Sequence, residues 1–377
     1  MTSTRIHIEQ LFDGEQLLDH QVISVENGKI VAIDGDIKTA VQKIAGLVVP
    51  GFIDLQVNGG GGVLFNDAPS LENLKTMIAA HAMFGTTGML PTLITDKVEV
   101  MAQAADAMAQ AIAENVPGIL GIHFEGPHLS TAKKGTHVEE YIRPISEAEW
   151  QILERKDLGQ ILVTLAPETV SEADIERMVS LGIKVCLGHT NASYEVAQRA
   201  IDAGADGFTH LYNAMSPLQG REPGVTGCAL LNDSASCGII IDGHHVSYAS
   251  ANLALKTKPT GKVFLVTDAM STIGTDQTEF SFFDRTVYLK DGRLNSTTGE
   301  LAGAALDMVT AVNNAADFLN ISYHEAVRMA SSYPATYINQ QGVRGELKVG
   351  QAADFVVLNA DRSVQSTWIA GQTIYTN

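Results

Sequence analysis

From about residue 50 onward, short apolar runs alternate with segments whose apolar positions recur every three to four residues. Eight runs read as strands: VVPGFIDLQV (48–57), TGMLPTLI (87–94), GILGIHFEG (118–126), ILVTLAPE (161–168), IKVCLGHT (183–190), DGFTHLYNA (206–214), ASCGIIIDG (235–243) and KVFLVTDA (262–269). Strands that are apolar on both faces belong in a buried parallel sheet. Between most of them lie helical patterns such as LENLKTMIAAHAMFG, SEADIERMVSLG and SYEVAQRAIDAG, the last two opened by a serine suited to cap the helix. Eight strand–helix units over about 220 residues predict a TIM (β/α)8 barrel.

The two ends of the chain have a different texture. Residues 4–48 read as short strands broken by Asp-Gly and Asn-Gly turns, and the tail from GELKVGQAADFVVL onward returns to the same character. Neither end is long enough to bury a core alone. The expectation is a small β-sandwich domain built from both termini, residues 1–48 and 346–377, beside a catalytic barrel at 49–345. TEFSFFDRTVYLKDGRLNS (278–296) reads as an inserted hairpin, followed by the helices ALDMVTAVNNAADFL and SYHEAVRMASSYPATYI.

Charge and cysteine content narrow the function. The formal charge of −18 over 377 residues argues against nucleic acid and anionic membrane surfaces as partners. An anion can bind only in a local positive pocket. Cys186, Cys228 and Cys237 are an odd number without zinc-finger spacing, so buried reduced thiols and a cytoplasmic home are expected. MTSTRIHIEQLFDG shows no basic-then-apolar pattern, so no leader is expected, and no apolar run approaches the roughly 20 residues of a membrane helix.

Four polar residues sit just past barrel strands: Glu125 after strand three, His189 after strand five, His210 after strand six and Asp268 after strand eight. The C-terminal rim of a barrel is where such side chains converge. Two imidazoles and a carboxylate, without thiolate, suit one catalytic divalent metal with an open position; Zn²⁺ fits best and Fe²⁺ less well. Asp268 is then free to handle the proton of a water at that metal. Strand one reads Asp54-Leu55-Gln56-Val57-Asn58 where many barrel hydrolases place His-x-His, so one metal is expected and not two.

Other residues leave alternatives open. His137, in the long polar loop 128–143, is either a donor to a substrate carbonyl oxygen or a solvated loop histidine. Lys133 and Lys134 read as a solvated loop face. Arg221 is the only basic residue of the Gly/Pro-rich loop 215–225, either a surface residue or a fork for phosphate or carboxylate. In Asp242-Gly243-His244-His245 an imidazole can be a further metal ligand, a phosphate partner or structural. Gly59 to Gly62 form a tight loop matching no phosphate-binding motif.

PGFIDLQVNG, HFEGPHLS, KKGTH, LGHTNA, THLYNAMSPL, DGHHV, LVTDAM and ELAGAAL occur in this order. In combination they resemble the N-acetylglucosamine-6-phosphate deacetylases of the amidohydrolase superfamily, over essentially the whole chain. The resemblance implies Glu125, His189 and His210 as metal ligands, Asp268 as the catalytic aspartate, and His137 as the residue polarising the acetyl carbonyl. It implies substrate contacts at Thr136, Asn213, Ala214, Arg221, Asp242 and His245, and along Leu301-Ala302-Gly303. It also implies a homodimer in which Arg221 reaches the neighbouring active site and a phosphorylated amino sugar as substrate. His244 departs from the family pattern. The rival readings are a cyclic-amide hydrolase or deaminase, which a substrate panel separates, and a barrel that has lost its chemistry, which should lack one of the four rim residues.

Overall fold

A computed structural model describes residues 4–297 and 299–377, so the first three residues of the expected terminal domain lie outside the described residues. All eight anticipated barrel strands are present: Phe52–Val57, Thr86–Ile94, Gly121–Glu125, Gln160–Leu165, Lys184–Leu187, Gly207–Phe208, Ser236–Ile239 and Val263–Leu265. They pair in chain order, every pair parallel. Strand eight closes on strand one through its exit. The Asp268 N–H donates to the Gln56 carbonyl at 3.0 Å and the Asn58 N–H to the Ala269 carbonyl at 2.9 Å.

Seven of the eight strands are shorter than their apolar runs, for local reasons. The sixth is only Gly207–Phe208 because the chain beyond it turns sharply, with positive φ at His210, Tyr212 and Ala214. The first apolar run is cut at Gly51. Val48–Pro50 ends a strand of the terminal sheet, Gln42–Pro50, and Phe52 starts the barrel. Gly51 passes so close to strand two that a Cβ there would lie 2.1 Å from the Thr87 hydroxyl. Periodicity cannot see this break, since the run is apolar in both cores.

The helices follow their sequence signals. Leu71–Ala82, Glu172–Ser180 and Tyr194–Asp202 are capped by Ser70, Ser171 and Ser193, each accepting from the backbone three residues on. Such caps are worth about 1 kcal/mol each. SYHEAVRMASSYPATYI divides at Ser331 into Tyr323–Ala330 and Ser332–Tyr337.

The termini build one seven-stranded sheet in the order Gln372–Thr376, Val364–Ile369, Phe355–Leu358, Gln42–Pro50, Thr4–Phe12, Leu17–Glu26, Lys29–Asp34. Only the pairing of Thr4–Phe12 with Gln42–Pro50 is parallel. The sheet folds over so that Ile6, Ile23 and Ile30 from one half pack with Phe355, Val357 and Trp368 from the other, the layered arrangement expected of a sandwich. The inserted segment is a three-stranded meander, Glu279–Phe282, Arg285–Lys290 and Arg293–Ser296, one strand more than the expected hairpin. Phe283 takes φ 51° and makes a tight turn that splits the first run.

Among the described residues no helix is long and apolar enough to cross a membrane, and the three cysteines are buried and unpaired.

One buried histidine ties a helix to the exit of strand one. His81 Nε2 is 2.8 Å from the Gly59 carbonyl, which assigns the hydrogen to Nε2. Burial pushes its pKa down to about 4. Between pH ~4 and the unfolded value of about 6.5, the unfolded chain binds a proton here that the folded chain refuses. Stability is therefore lost at this site as pH falls through that window. His81→Gln keeps a donor for Gly59 but does not titrate. Denaturant unfolding at pH 7 and pH 5 should show a decline about 2 kcal/mol smaller in the variant; equal declines would remove His81 from the pH dependence.

Candidate active site

The C-terminal rim of the barrel brings the four expected residues together. Glu125 is the last residue of strand three, while His189, His210 and Asp268 lie two or three residues beyond strands five, six and eight. These three adopt φ of 48°, 31° and 54°. Left-handed backbone at a non-glycine residue costs of order 1–3 kcal/mol, and its clustering here marks side chains aimed for a purpose beyond stability.

Glu125 Oε1 lies 3.1 Å from His189 Nε2 and 3.0 Å from His210 Nε2, and the two Nε2 atoms are 3.0 Å apart. A tetrahedral cation with bonds of about 2.0–2.1 Å sets its ligand atoms roughly 3.3 Å apart, so the three donors fit one ion with small adjustment. His189 Nδ1 is 2.9 Å from the Lys133 carbonyl. Its hydrogen is therefore on Nδ1 and its Nε2 lone pair faces the other two donors. Two imidazole lone pairs at this separation repel unless a cation lies between them, which supports the same conclusion.

Glu125 is fully buried. Burial would raise its pKa, but the adjoining imidazoles of His189 and His210 outweigh it and hold the carboxyl well below the usual range. Burial opposes protonation of His210, yet the adjoining Glu125 carboxylate raises its pKa overall. Asp268 is pushed up by its own burial and then by the negative charge of Glu125. A bound cation would lower both carboxyls, opposing the upward push on Asp268 and keeping both ionised.

Strand one supplies amides where histidines were sought. Gln56 Nε2 donates to Glu125 Oε1 at 3.2 Å and to Asp268 Oδ1 at 3.3 Å. With carboxylates on both sides, its nitrogen and not its oxygen faces the centre. Asn58 Nδ2 donates to Asp268 Oδ1 at 2.6 Å. Asn58 was not singled out in the sequence, although its two-residue spacing from Gln56 places both on the inner face at the strand end.

The centre opens into a cavity of about 360 Å³, within the range of small-molecule sites. Its walls include Asp268, His137, Thr136, Asn213, Ala214, His245, Leu301 and Gly303, all anticipated. His137 is buried, not solvated. Its ring lies 4.3 Å from that of His189, and its Nδ1 is 2.8 Å from the Thr95 hydroxyl. Burial and then the neighbouring His189 keep it well below the usual imidazole range, hence neutral. His245 Nδ1 bonds Asp242 Oδ2 at 2.6 Å, and Asp242 Oδ1 accepts from the backbone of His244 and His245. Asp242 thus stands behind His245 and off the cavity wall.

Two further placements, those of Lys133 and Ala302, differ from the sequence reading. Lys133 is half-buried and lines the cavity, because its carbonyl is fastened to His189; it is not a solvated face. Ala302 is buried, with its N–H donating to the Leu294 carbonyl, so it supports Leu301 and Gly303 and does not line the cavity. Arg221 is exposed on its loop and does not line the cavity of its own chain. Met270 and Phe282 also line the cavity. No local signal announced Phe282, which comes from the inserted meander.

The amidohydrolase family model matches residues 47–374. An N-acetylgalactosamine-6-phosphate deacetylase of Shewanella sp. (strain ANA-3) is 50% identical over 366 residues, covering 95% of this chain and 93% of the relative. An N-acetylglucosamine-6-phosphate deacetylase of Haemophilus influenzae is 36% identical over 361 residues, covering 92% and 93%. The crystal structure of N-acetylglucosamine-6-phosphate deacetylase from Pasteurella multocida superposes with a TM-score of 0.95 at 39% identity, covering 100% of both chains.

Proposed function

The chain belongs to the amidohydrolase family, and we propose that it hydrolyses N-acetyl-D-glucosamine 6-phosphate to D-glucosamine 6-phosphate and acetate. The observation that carries this reading is the meeting of Glu125 Oε1, His189 Nε2 and His210 Nε2 within 3.1 Å of one another, with Asp268 and His137 on the same cavity. Those three donors would hold one divalent ion, Zn²⁺ by the donor set with Fe²⁺ the weaker fit. When bound, the ion supplies Lewis-acid polarisation and lowers the pKa of water at the site.

The side chains account for the remaining steps. Asp268 takes a proton from the attacking water as its oxygen bonds to the acetyl carbon. Asp268 then returns that proton to the amine nitrogen as the C–N bond breaks. Asn58 and Gln56 donate to Asp268 Oδ1 and hold it in place throughout. The Thr95 hydroxyl is nearer His137 Nδ1 (2.8 Å) than the Glu125 carbonyl (3.4 Å). With the Thr95 hydroxyl as donor to Nδ1, His137 carries its hydrogen on Nε2, where it would stabilise the oxygen that becomes negative. Thr136, Asn213, Ala214, Leu301 and Gly303 shape the sugar site, with Ala302 behind them.

His245, held by Asp242, and Arg221 are assigned to the phosphate. The exposure of Arg221 outside its own cavity supports its delivery to a neighbouring subunit of a homodimer. Binding the phosphate there fixes the amide over the reacting groups. Arg221→Ala should lower kcat/KM for the phosphorylated sugar by about 10²-fold while barely changing the slow turnover of the unphosphorylated amide. Equal losses on both substrates would discard the phosphate assignment. Three buried reduced thiols support a cytoplasmic setting. The terminal sheet and the barrel are taken as two domains, divided near residues 48 and 346.

A second reading is favoured by one observation: the 50% identical relative is named for the galactosamine epimer. Acetate release from both N-acetylhexosamine 6-phosphates by the purified protein separates the two. A higher kcat/KM for the glucosamine epimer is the result expected here, and a reversed order would transfer the assignment to galactosamine.

A further inference from the structure

His244 sits beside a proposed phosphate contact but faces away from the cavity. Its Nδ1 accepts a hydrogen bond at 2.9 Å from Arg293 Nε, a residue on the third strand of the inserted meander. Its ring also covers the preceding turn: a Cβ on Gly292 would lie 3.4 Å from His244 Nε2. His244 thus touches the meander by both a directed bond and packing.

The meander in turn forms part of the cavity. Phe282 of its first strand lines the site. Its third strand, Arg293–Ser296, carries the next segment of wall, because Asn295 bridges Leu301 and the Ala302 N–H donates to the Leu294 carbonyl. Leu301 and Gly303 line the cavity on either side of that bond. On the other side of the contact, the His244 and His245 amides share Asp242 Oδ1. The His244–Arg293 bond therefore joins the loop that presents His245 to the strand that positions Leu301–Gly303.

We propose that His244 is a positioning residue that clamps the meander onto the His245 loop and so fixes two walls of the sugar-phosphate site relative to each other. The proposal rests on the substrate assignment above only for its kinetic readout. Both partners of the clamp are side chains with no role in the proton transfers, so their loss should change substrate binding more than the chemical step. The acceptor must be an unprotonated ring nitrogen, because Arg293 has only donors to offer.

The test uses the full-length holoenzyme. His244→Phe keeps a ring against Gly292 and removes the acceptor, while His244→Asn keeps an acceptor near the position of Nδ1. Arg293→Met removes the donor. His244→Phe and Arg293→Met should each raise KM for N-acetylglucosamine 6-phosphate by about three- to ten-fold with kcat changed less than about two-fold, and the double variant should be no worse than either. His244→Asn should recover most of the wild-type KM. Without substrate, hydrogen exchange of the meander amides at 279–296 should quicken in both single variants. That readout holds whichever sugar is the substrate, so it separates failure of the clamp from failure of the functional assignment. Additive effects in the double variant, unchanged meander exchange, or faster exchange with unchanged KM would each overturn the proposal.

Discussion

Asp268→Asn should retain a full complement of metal and bind substrate within a few-fold of wild type, yet turn over about 10³–10⁴-fold more slowly. The substitution is nearly isosteric. The amide oxygen can still accept from Asn58 Nδ2 and Gln56 Nε2, which meet the native Oδ1 at 2.6 and 3.3 Å. Only proton acceptance is lost. Metal analysis with steady-state kinetics checks this, and a variant with near-native kcat would take Asp268 out of the chemistry. The native group also has a pH signature. Burial and the charge of Glu125 raise its pKa, and the active form is the ionised one. Activity should therefore fall on the acid side, and the residual activity of the variant should lack that limb.

Glu125→Gln should cost the metal as well as turnover, because it removes the only anionic donor among the three. Glu125 Oε1 is the atom to which both His189 Nε2 and His210 Nε2 are drawn. An amide there offers a weaker, uncharged oxygen. It also has to turn its own N–H groups away from Gln56, which donates into this space. Metal should be lost on dialysis and turnover should drop by at least about 10³-fold, with partial recovery only in excess Zn²⁺. Folding should survive, since the barrel closes through the backbone of Gln56, Asn58, Asp268 and Ala269. Metal content is the decisive readout: a variant that keeps one tightly held ion per chain would show that Glu125 is not a ligand.

The barrel could be read in advance because its strands are apolar on both faces, and the metal-site candidates because each polar residue stands immediately past such a run. Glu125, His189, His210 and Asp268 needed no long-range information to be singled out. What escaped was set by tertiary neighbours. The break at Gly51 is imposed by Thr87 of the next strand. Lys133 looks like loop charge until its carbonyl is seen under His189. Asn58 and Gln56 gain meaning only when Asp268, over 200 residues later, closes on them. Phe282 enters the cavity from a meander that local pattern reduces to a hairpin. His244 had no assignable partner because Arg293 is far along the chain and ordinary in its own context.

The most direct measurement is acetate release from N-acetylglucosamine 6-phosphate by the purified protein, before chelation, after metal removal verified by elemental analysis, and after returning one equivalent of Zn²⁺. Acetate should form one-for-one with glucosamine 6-phosphate, disappear with the metal and return with it. Undiminished release by verifiably metal-free protein would contradict the account at its base.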